Sequence, residues 1–110
     1  MEPWLRGGTP YPPTPRKLAY LFKVINSLYF GGKLPKPRFV VEATDLGVAC
    51  TDGSYLLVDP RYTWSYDTLS ATVAHEMIHI WQFANGKNLD HGPVFRKHAA
   101  RLQSIIRSPV

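Results

Sequence analysis

His75-Glu76-Met77-Ile78-His79 is the segment from which the rest of this chain can be interpreted. It lies in a run whose apolar residues recur at helical spacing, so the sequence predicts a helix across it. Residues four apart share one face of a helix, so both imidazoles can reach one metal ion. Glu76 directly follows the first histidine and can take a proton from a water bound to that metal. The pattern therefore indicates a zinc site of the hydrolytic kind.

A third metal ligand has to come from outside this helix, because a catalytic zinc is usually held by three protein ligands and keeps one position open. His91, in the segment Asp90-His91-Gly92-Pro93, follows a turn and is the best placed. Asp90 or Cys50 could add a fourth ligand that closes the site, and a chance match of so short a pattern is the alternative to any metal site. We predict a Zn²⁺ site on His75, His79 and His91, with Glu76 as the catalytic base.

The composition describes one small globular domain. The chain has 110 residues, 45% of them hydrophobic, with three Trp, six Tyr and five Phe, which is typical of a packed core. No apolar run approaches the ~20 residues that a membrane helix needs, and Met1-Glu2-Pro3-Trp4 lacks the features of a secretory signal. The single cysteine, Cys50, cannot form an internal disulfide, which is typical of a reducing compartment. We therefore expect a cytoplasmic monomer with no membrane partner.

The net charge of +5 is unevenly distributed along the chain. Residues 16–38 and 91–110 hold ten of the 13 basic residues and no acidic one, whereas residues 39–90 hold seven of the eight acids. This pattern favours a nucleic-acid partner, single- or double-stranded DNA, bound through basic helices. Trp64 and Tyr66 could stack on unpaired bases. The alternatives are that the basic side chains only solubilise two amphipathic helices and that both aromatic residues belong to the core.

Local patterns predict three helices and three strands in an α+β fold. A Pro-rich arm over residues 1–14 precedes one domain over residues 15–110. Trp4 and Tyr11 could hold this arm to the body, and a loose tail over about the first eight residues is the alternative. Helices are predicted from Thr14-Pro15 to Gly31-Gly32, from residues 65–67 to Asn85-Gly86, and from Pro93 onward. Runs of β type at residues 39–43, 48–51 and 55–58, with the hairpin signal Asp52-Gly53, predict a short three-stranded antiparallel sheet under the helices.

Three boxes in this chain resemble those of the SprT-like zinc metallopeptidase family, whose protease core is found in Spartan. They are Leu28-Tyr29-Phe30-Gly31-Gly32-Lys33-Leu34-Pro35, the His75–His79 segment with the helix before it, and His91-Gly92-Pro93-Val94-Phe95. The HExxH segment by itself is shared by many unrelated zincins. Its combination with the other two boxes is much more specific, and the resemblance covers roughly residues 16–107.

The resemblance implies a small zincin-like minimal metalloprotease core with zinc on His75, His79 and His91 and with Glu76 as general base. Eukaryotic members use such a core on proteins crosslinked to DNA, which makes DNA-associated proteins a candidate substrate class. The printed sequence has no Cys-rich zinc module and no long basic extension. We therefore expect a stand-alone core whose physiological substrate is left open.

Peptide hydrolysis also needs a donor for the tetrahedral oxyanion besides the metal. His98, Tyr55 and Tyr62 are the candidates, each with packing as the alternative role. Two other functions compete with a peptidase. One is a non-catalytic, zinc-stabilised module that binds nucleic acid, and the other is a different metal-dependent hydrolase on the same scaffold. Glu76 argues against the first, because a structural zinc site has no use for a carboxylate at that position.

Overall fold

The computed structural model describes residues 9–106 and 108–110. Their elements are α1 (Pro15–Tyr29), β1 (Arg38–Val41), β2 (Ala49–Thr51), β3 (Tyr55–Val58), α2 (Tyr66–Ala84) and α3 (Pro93–Ile106). The predicted α+β class, with three helices and a three-stranded sheet, is confirmed. Within this part of the chain, no helix is both long and apolar enough to cross a membrane. The predicted contact of Trp4 lies outside the described residues.

The sheet is mixed, so the prediction of a purely antiparallel sheet was wrong. Its strand order is β1-β3-β2. The hairpin at Asp52-Gly53 pairs β2 antiparallel with β3, as predicted, whereas β1 pairs parallel with β3. The physical reason is burial. In β3, Leu56 and Val58 are fully buried while no residue of β1 or β2 is, so β3 takes the central position and the connection after β1 carries the chain across to its far side.

Helix α1 begins and ends at the residues that its sequence signals predict. The Thr14 hydroxyl accepts a hydrogen bond from the Lys17 amide at 3.1 Å, and Pro15 opens the first turn. At the other end, the buried Asn26 side chain donates to the main-chain carbonyl of Leu34 and accepts from its amide, both at 3.1 Å. Gly31 and Gly32 take positive φ angles of 64° and 73° there. The turn after the helix is therefore held from inside the core.

Helix α2 is the centre of the domain. It contacts α1, α3 and β2, and its buried apolar side chains fill the space between them. Those side chains are Leu69, Val73, Ala74, Met77, Ile78 and Ile80, and Phe95 and Leu102 of α3 join the same core. A helix packed on several sides cannot rotate without breaking these contacts. The direction in which α2 presents its polar residues is therefore set by the core.

The segment before α2 is anchored to the N-terminal arm. The Tyr11 amide donates to the main-chain carbonyl of Trp64 at 2.8 Å, and the Tyr11 ring meets Tyr66 edge-on. Trp64 is buried, and its indole N–H donates to the main-chain carbonyl of Asp59 at 2.9 Å. Trp64 is therefore a core residue and cannot stack on a nucleic-acid base. Tyr66 remains partly exposed.

A fully buried aspartate, Asp59, joins the connection after β1 to the end of β3. Its carboxylate accepts hydrogen bonds from the Thr44 amide at 3.0 Å and from the guanidinium of Arg61 at 2.7 Å. Hydrogen bonding by the Arg61 side chain is the main reason that the pKa of Asp59 lies well below its ordinary value of 3.8. A group with a lowered folded-state pKa contributes stability above its unfolded pKa, and that contribution is lost as the pH falls further.

We expect Asp59→Asn to lower the melting temperature by at least about 4 °C at neutral pH, because a buried carboxylate and its hydrogen bonds are lost. The deficit should shrink below about pH 4, where the parent loses the same contribution. Thermal melts from about pH 7 to pH 3 measure this difference. Asp45→Asn, at an exposed site on the same connection, is the control. A melting-temperature deficit that stays constant over the whole pH range would show that the ionised Asp59 carboxylate is not its source.

Candidate metal centre

Helix α2 carries two histidines of the site on one face. The helix starts with a capping box in which the Thr68 amide donates to the Ser65 hydroxyl and the Ser65 amide donates to the Thr68 hydroxyl. His75 and His79 lie one turn apart in the middle of the helix. Their neighbours Met77 and Ile78 are fully buried in the core. The local sequence thus makes the helix, and the core turns both imidazoles towards the loop that follows.

The third histidine reaches the same place from the loop between α2 and α3. Gly86, at a φ of 66°, ends the helix. The Asp90 side chain accepts the Gly92 amide at 3.1 Å, which closes a turn around His91. Phe95, in the first turn of α3, then packs under all three imidazoles with ring centroids 4.8–4.9 Å away. Phe95 was predicted only as part of the His91–Phe95 box, and its place as the floor of the site depends on the meeting of α2 and α3.

The three imidazoles converge through their Nε2 atoms. The His91 Nε2 lies 3.1 Å from that of His79 and 3.2 Å from that of His75. One ligand atom from each residue lies within 4.8 Å of the other two. A tetrahedral zinc with Zn–N distances of about 2.0–2.1 Å separates two nitrogen ligands by about 3.3 Å. Three nitrogen donors at such spacing can share one cation between them. The donor set therefore fits a metal ion.

The outer nitrogens of the two helical histidines face hydrogen-bond acceptors. The Nδ1 of His79 lies 2.8 Å from Oε1 of Gln82, and the Nδ1 of His75 lies 3.4 Å from the main-chain carbonyl of Val110. A proton held on Nδ1 leaves Nε2 free to ligate a metal. Burial is the main cause that lowers the pKa of both His75 and His79. A lowered pKa favours the neutral form that metal binding requires.

Glu76 places a carboxylate beside this cluster. It is 6% exposed, and its Oε2 lies 3.9 Å from the His75 Nε2. Burial raises the pKa of Glu76 to about 7. None of the groups that the structure describes forms a hydrogen bond with this carboxylate. It is therefore available to a water or a substrate at the cluster, with a proton affinity suited to transfer near neutral pH.

A cleft runs from the three histidines along the edge of the sheet. Its wall contains the whole of β2, Leu46 before the strand, and Leu89 from the loop that bears His91. β2 pairs only with β3 among the described strands, so its outer edge carries main-chain groups that a partner strand can use. Cys50 lies in this wall, and its Sγ is 3.9 Å from the Tyr55 hydroxyl. Cys50 and Asp90, the candidates for a fourth ligand, are not among the three residues whose ligand atoms cluster.

The three candidate oxyanion donors lie in different places. His98 accepts or donates a hydrogen bond at 2.8 Å with the Tyr29 hydroxyl and packs on Trp81, in a groove that none of the three clustered histidines lines. Tyr62 is 47% exposed and packs on Trp64. Tyr55 alone of the three lies beside the cleft, through its contact with Cys50. That contact is the main cause that raises the pKa of Tyr55, so its phenol stays protonated and can donate.

Comparison with protein-family models agrees with this architecture. The model of the SprT-like family matches residues 18–109. That range takes in the turn after α1, the sheet, the histidine cluster and α3. The comparison with curated proteins returned no match. Because the family model covers most of the chain, the predicted resemblance is confirmed, and the chain belongs to the SprT-like family.

Proposed function

We propose that this protein is a zinc-dependent metalloendopeptidase, with residues 15–110 as its metallopeptidase domain and residues 1–14 as an arm. The observation that carries the proposal is the convergence of three imidazole Nε2 atoms beside the buried Glu76 carboxylate, at one end of a cleft that follows a free strand edge. Family membership supports the same conclusion. The absence of a fourth clustered ligand among the described residues favours an open, catalytic site over a closed structural one.

His75, His79 and His91 would hold the metal. Bound zinc would supply a Lewis acid for the peptide carbonyl and would lower the pKa of a bound water to about 7. Glu76 accepts the proton of the attacking water and then delivers it to the leaving amine. Tyr55 is our candidate donor for the oxyanion, because its hydroxyl lies next to the cleft wall. His98 and Tyr62 take packing roles in this proposal.

The free edge of β2 supports an extended polypeptide as the substrate. A peptide laid along β2 can form main-chain hydrogen bonds with Ala49 to Thr51, as an added strand does. This alignment would bring one peptide bond to the histidine cluster, because the same cleft contains both. Main-chain recognition depends little on side chains, so we expect cleavage of unfolded or flexible proteins with broad sequence preference. The same argument disfavours small esters as substrates.

The test of this function pairs metal analysis with proteolysis. Purified protein should contain about one zinc per chain. It should cleave a casein-type substrate, lose that activity to a chelator and regain it on addition of Zn²⁺. The assay should also be run on a small ester and on a nucleic-acid substrate, which separates a peptidase from another metal-dependent hydrolase. Stoichiometric zinc without cleavage of any substrate would favour the alternative, a zinc-stabilised binding module.

We further propose DNA-associated proteins as substrates and the cytoplasm as the location. The basic residues Arg96, Lys97 and Arg101 are exposed on α3, the helix that also supplies Phe95 to the floor of the site. A DNA strand held there would bring its bound proteins close to the cleft. The lone cysteine is consistent with a reducing compartment.

Reversing Arg96, Lys97 and Arg101 to Glu should abolish DNA binding and leave the zinc content unchanged. Binding that rests on phosphate contacts weakens with salt at a slope of about −0.9 per phosphate on duplex DNA. Replacing the three residues by Gln should therefore reduce the slope by about 2–3. Salt titrations with single- and double-stranded DNA provide the measurement. If the parent shows no affinity at about 50 mM salt, the DNA proposal fails and the peptidase proposal is unaffected.

A further inference from the structure

Gln82 is a fully buried polar residue at the edge of the metal centre. It lies three residues after His79 on α2 and is only 2% exposed. A buried amide costs folding free energy unless its polar atoms are paired. Both ends of the Gln82 amide have partners: Oε1 lies 2.8 Å from the His79 Nδ1, and Nε2 lies 3.1 Å from the main-chain carbonyl of Asp90. One side chain therefore spans the helix that bears His79 and the loop that bears His91.

The partners define the direction of each hydrogen bond. A main-chain carbonyl can only accept, so the NH₂ group of Gln82 must face Asp90. The carbonyl Oε1 then faces His79, and because it too can only accept, the Nδ1 of His79 must carry the proton. In a neutral imidazole this leaves Nε2 without a proton. That Nε2 is the atom that converges with the other two histidines.

The same residue also holds the start of the loop. The Lys87 amide donates to the main-chain carbonyl of Gln82 at 2.8 Å. Further along, the Gln82 Nε2 also lies 3.4 Å from the Asp90 Oδ1, the atom that accepts the Gly92 amide and closes the turn around His91. His91 itself is exposed, and its imidazole packs on Phe95. Its position depends on a turn that is anchored to residue 82 at both ends.

We propose that Gln82 is a positioning residue of the metal centre, which selects the ligating tautomer of His79 and holds the His91 loop at the distance that a shared metal requires. This inference rests on the proposed zinc site. The two ends of the amide have separable tasks. Its oxygen acts on His79, and its nitrogen acts on the loop. A substitution that removes one end and keeps the other therefore distinguishes them.

Two substitutions separate the tasks. Gln82→Met keeps nearly the same volume and removes both hydrogen bonds. Gln82→Glu keeps an acceptor for His79 and removes the donor to Asp90. Gln103→Met, on the exposed side of α3, is the matched control. Zn²⁺ affinity is measured by competition with a chromophoric chelator, and ¹⁵N NMR of the metal-free proteins reads the His79 tautomer. Melts in the presence of a chelator report whether each protein is folded.

We expect Gln82→Met to bind Zn²⁺ about 10–100-fold more weakly than the parent and to show a mixed His79 tautomer. Gln82→Glu should restore the Nδ1–H tautomer but still bind more weakly than the parent, because the loop is released. Gln103→Met should match the parent in both readouts. A parent-like affinity and tautomer in folded Gln82→Met would overturn the inference. If the parent binds no Zn²⁺, the proposed function fails, and the tautomer still decides whether Gln82 orients His79.

Discussion

Glu76→Gln should bind zinc as tightly as the parent and hydrolyse peptides about 10²–10⁴-fold more slowly. The substitution keeps the shape of a side chain that is 6% exposed, so the surrounding core is unchanged. Among the described residues that line the cleft with the three histidines, it removes the only carboxylate. An amide nitrogen cannot accept the proton of the attacking water. The loss should therefore fall on kcat, with a small effect on KM.

The measurement is the steady-state cleavage of a casein-type substrate with zinc content determined on the same sample. Glu42→Gln, at an exposed site after β1, is the matched control because it makes the same chemical change away from the cleft. It should cleave like the parent. Cleavage by Glu76→Gln at the parental rate with zinc bound would show that Glu76 is not the base.

Replacing His91 by Ala should abolish the stabilisation that zinc provides. A metal that binds only the folded state stabilises it by about 2.7 kcal/mol at a free concentration 100 times the Kd. For a domain of this size, each kcal/mol corresponds to about 4–8 °C in Tm. His91 is exposed and lies on a loop, so its removal should leave the metal-free fold nearly unchanged. We expect the Tm of His91→Ala to be the same with and without added Zn²⁺.

His98→Ala is the control for this experiment. His98 is the one histidine of the chain that lies outside the cluster, and it packs on Tyr29 and Trp81. Its removal should lower the Tm of the metal-free protein and leave the Zn²⁺-dependent increase intact. In melts with zinc and with a chelator, His91→Ala should therefore lose the Zn²⁺-dependent increase in Tm, whereas His98→Ala should lose metal-free Tm and keep that increase. An undiminished zinc-dependent increase in His91→Ala would remove His91 from the proposed ligand set.

Local sequence was sufficient to predict the helices, the strands and part of the candidate metal site. Thr14, Pro15 and the Gly31-Gly32 pair act on backbone groups within a few residues of themselves, so the bounds of α1 could be predicted. The same holds for the capped start of α2 and for the hairpin at Asp52-Gly53. The pairing of His75 with His79 follows from the helical repeat alone. These features depend on contacts between near neighbours in the chain, which the order of residues specifies directly.

Features that depend on distant contacts could not be derived in this way. The parallel pairing of β1 with β3 follows from which strand is best buried, and that requires the helices above the sheet. His98, Tyr55 and Tyr62 were equal candidates for the oxyanion donor. Only the packing of the folded chain places Tyr55 beside the cleft and the other two elsewhere. Gln82 was overlooked because no local pattern marks a glutamine that faces inward. Its proposed role depends on a loop that folds back on the helix, and the free energy of that contact comes from burial, which only the assembled core provides.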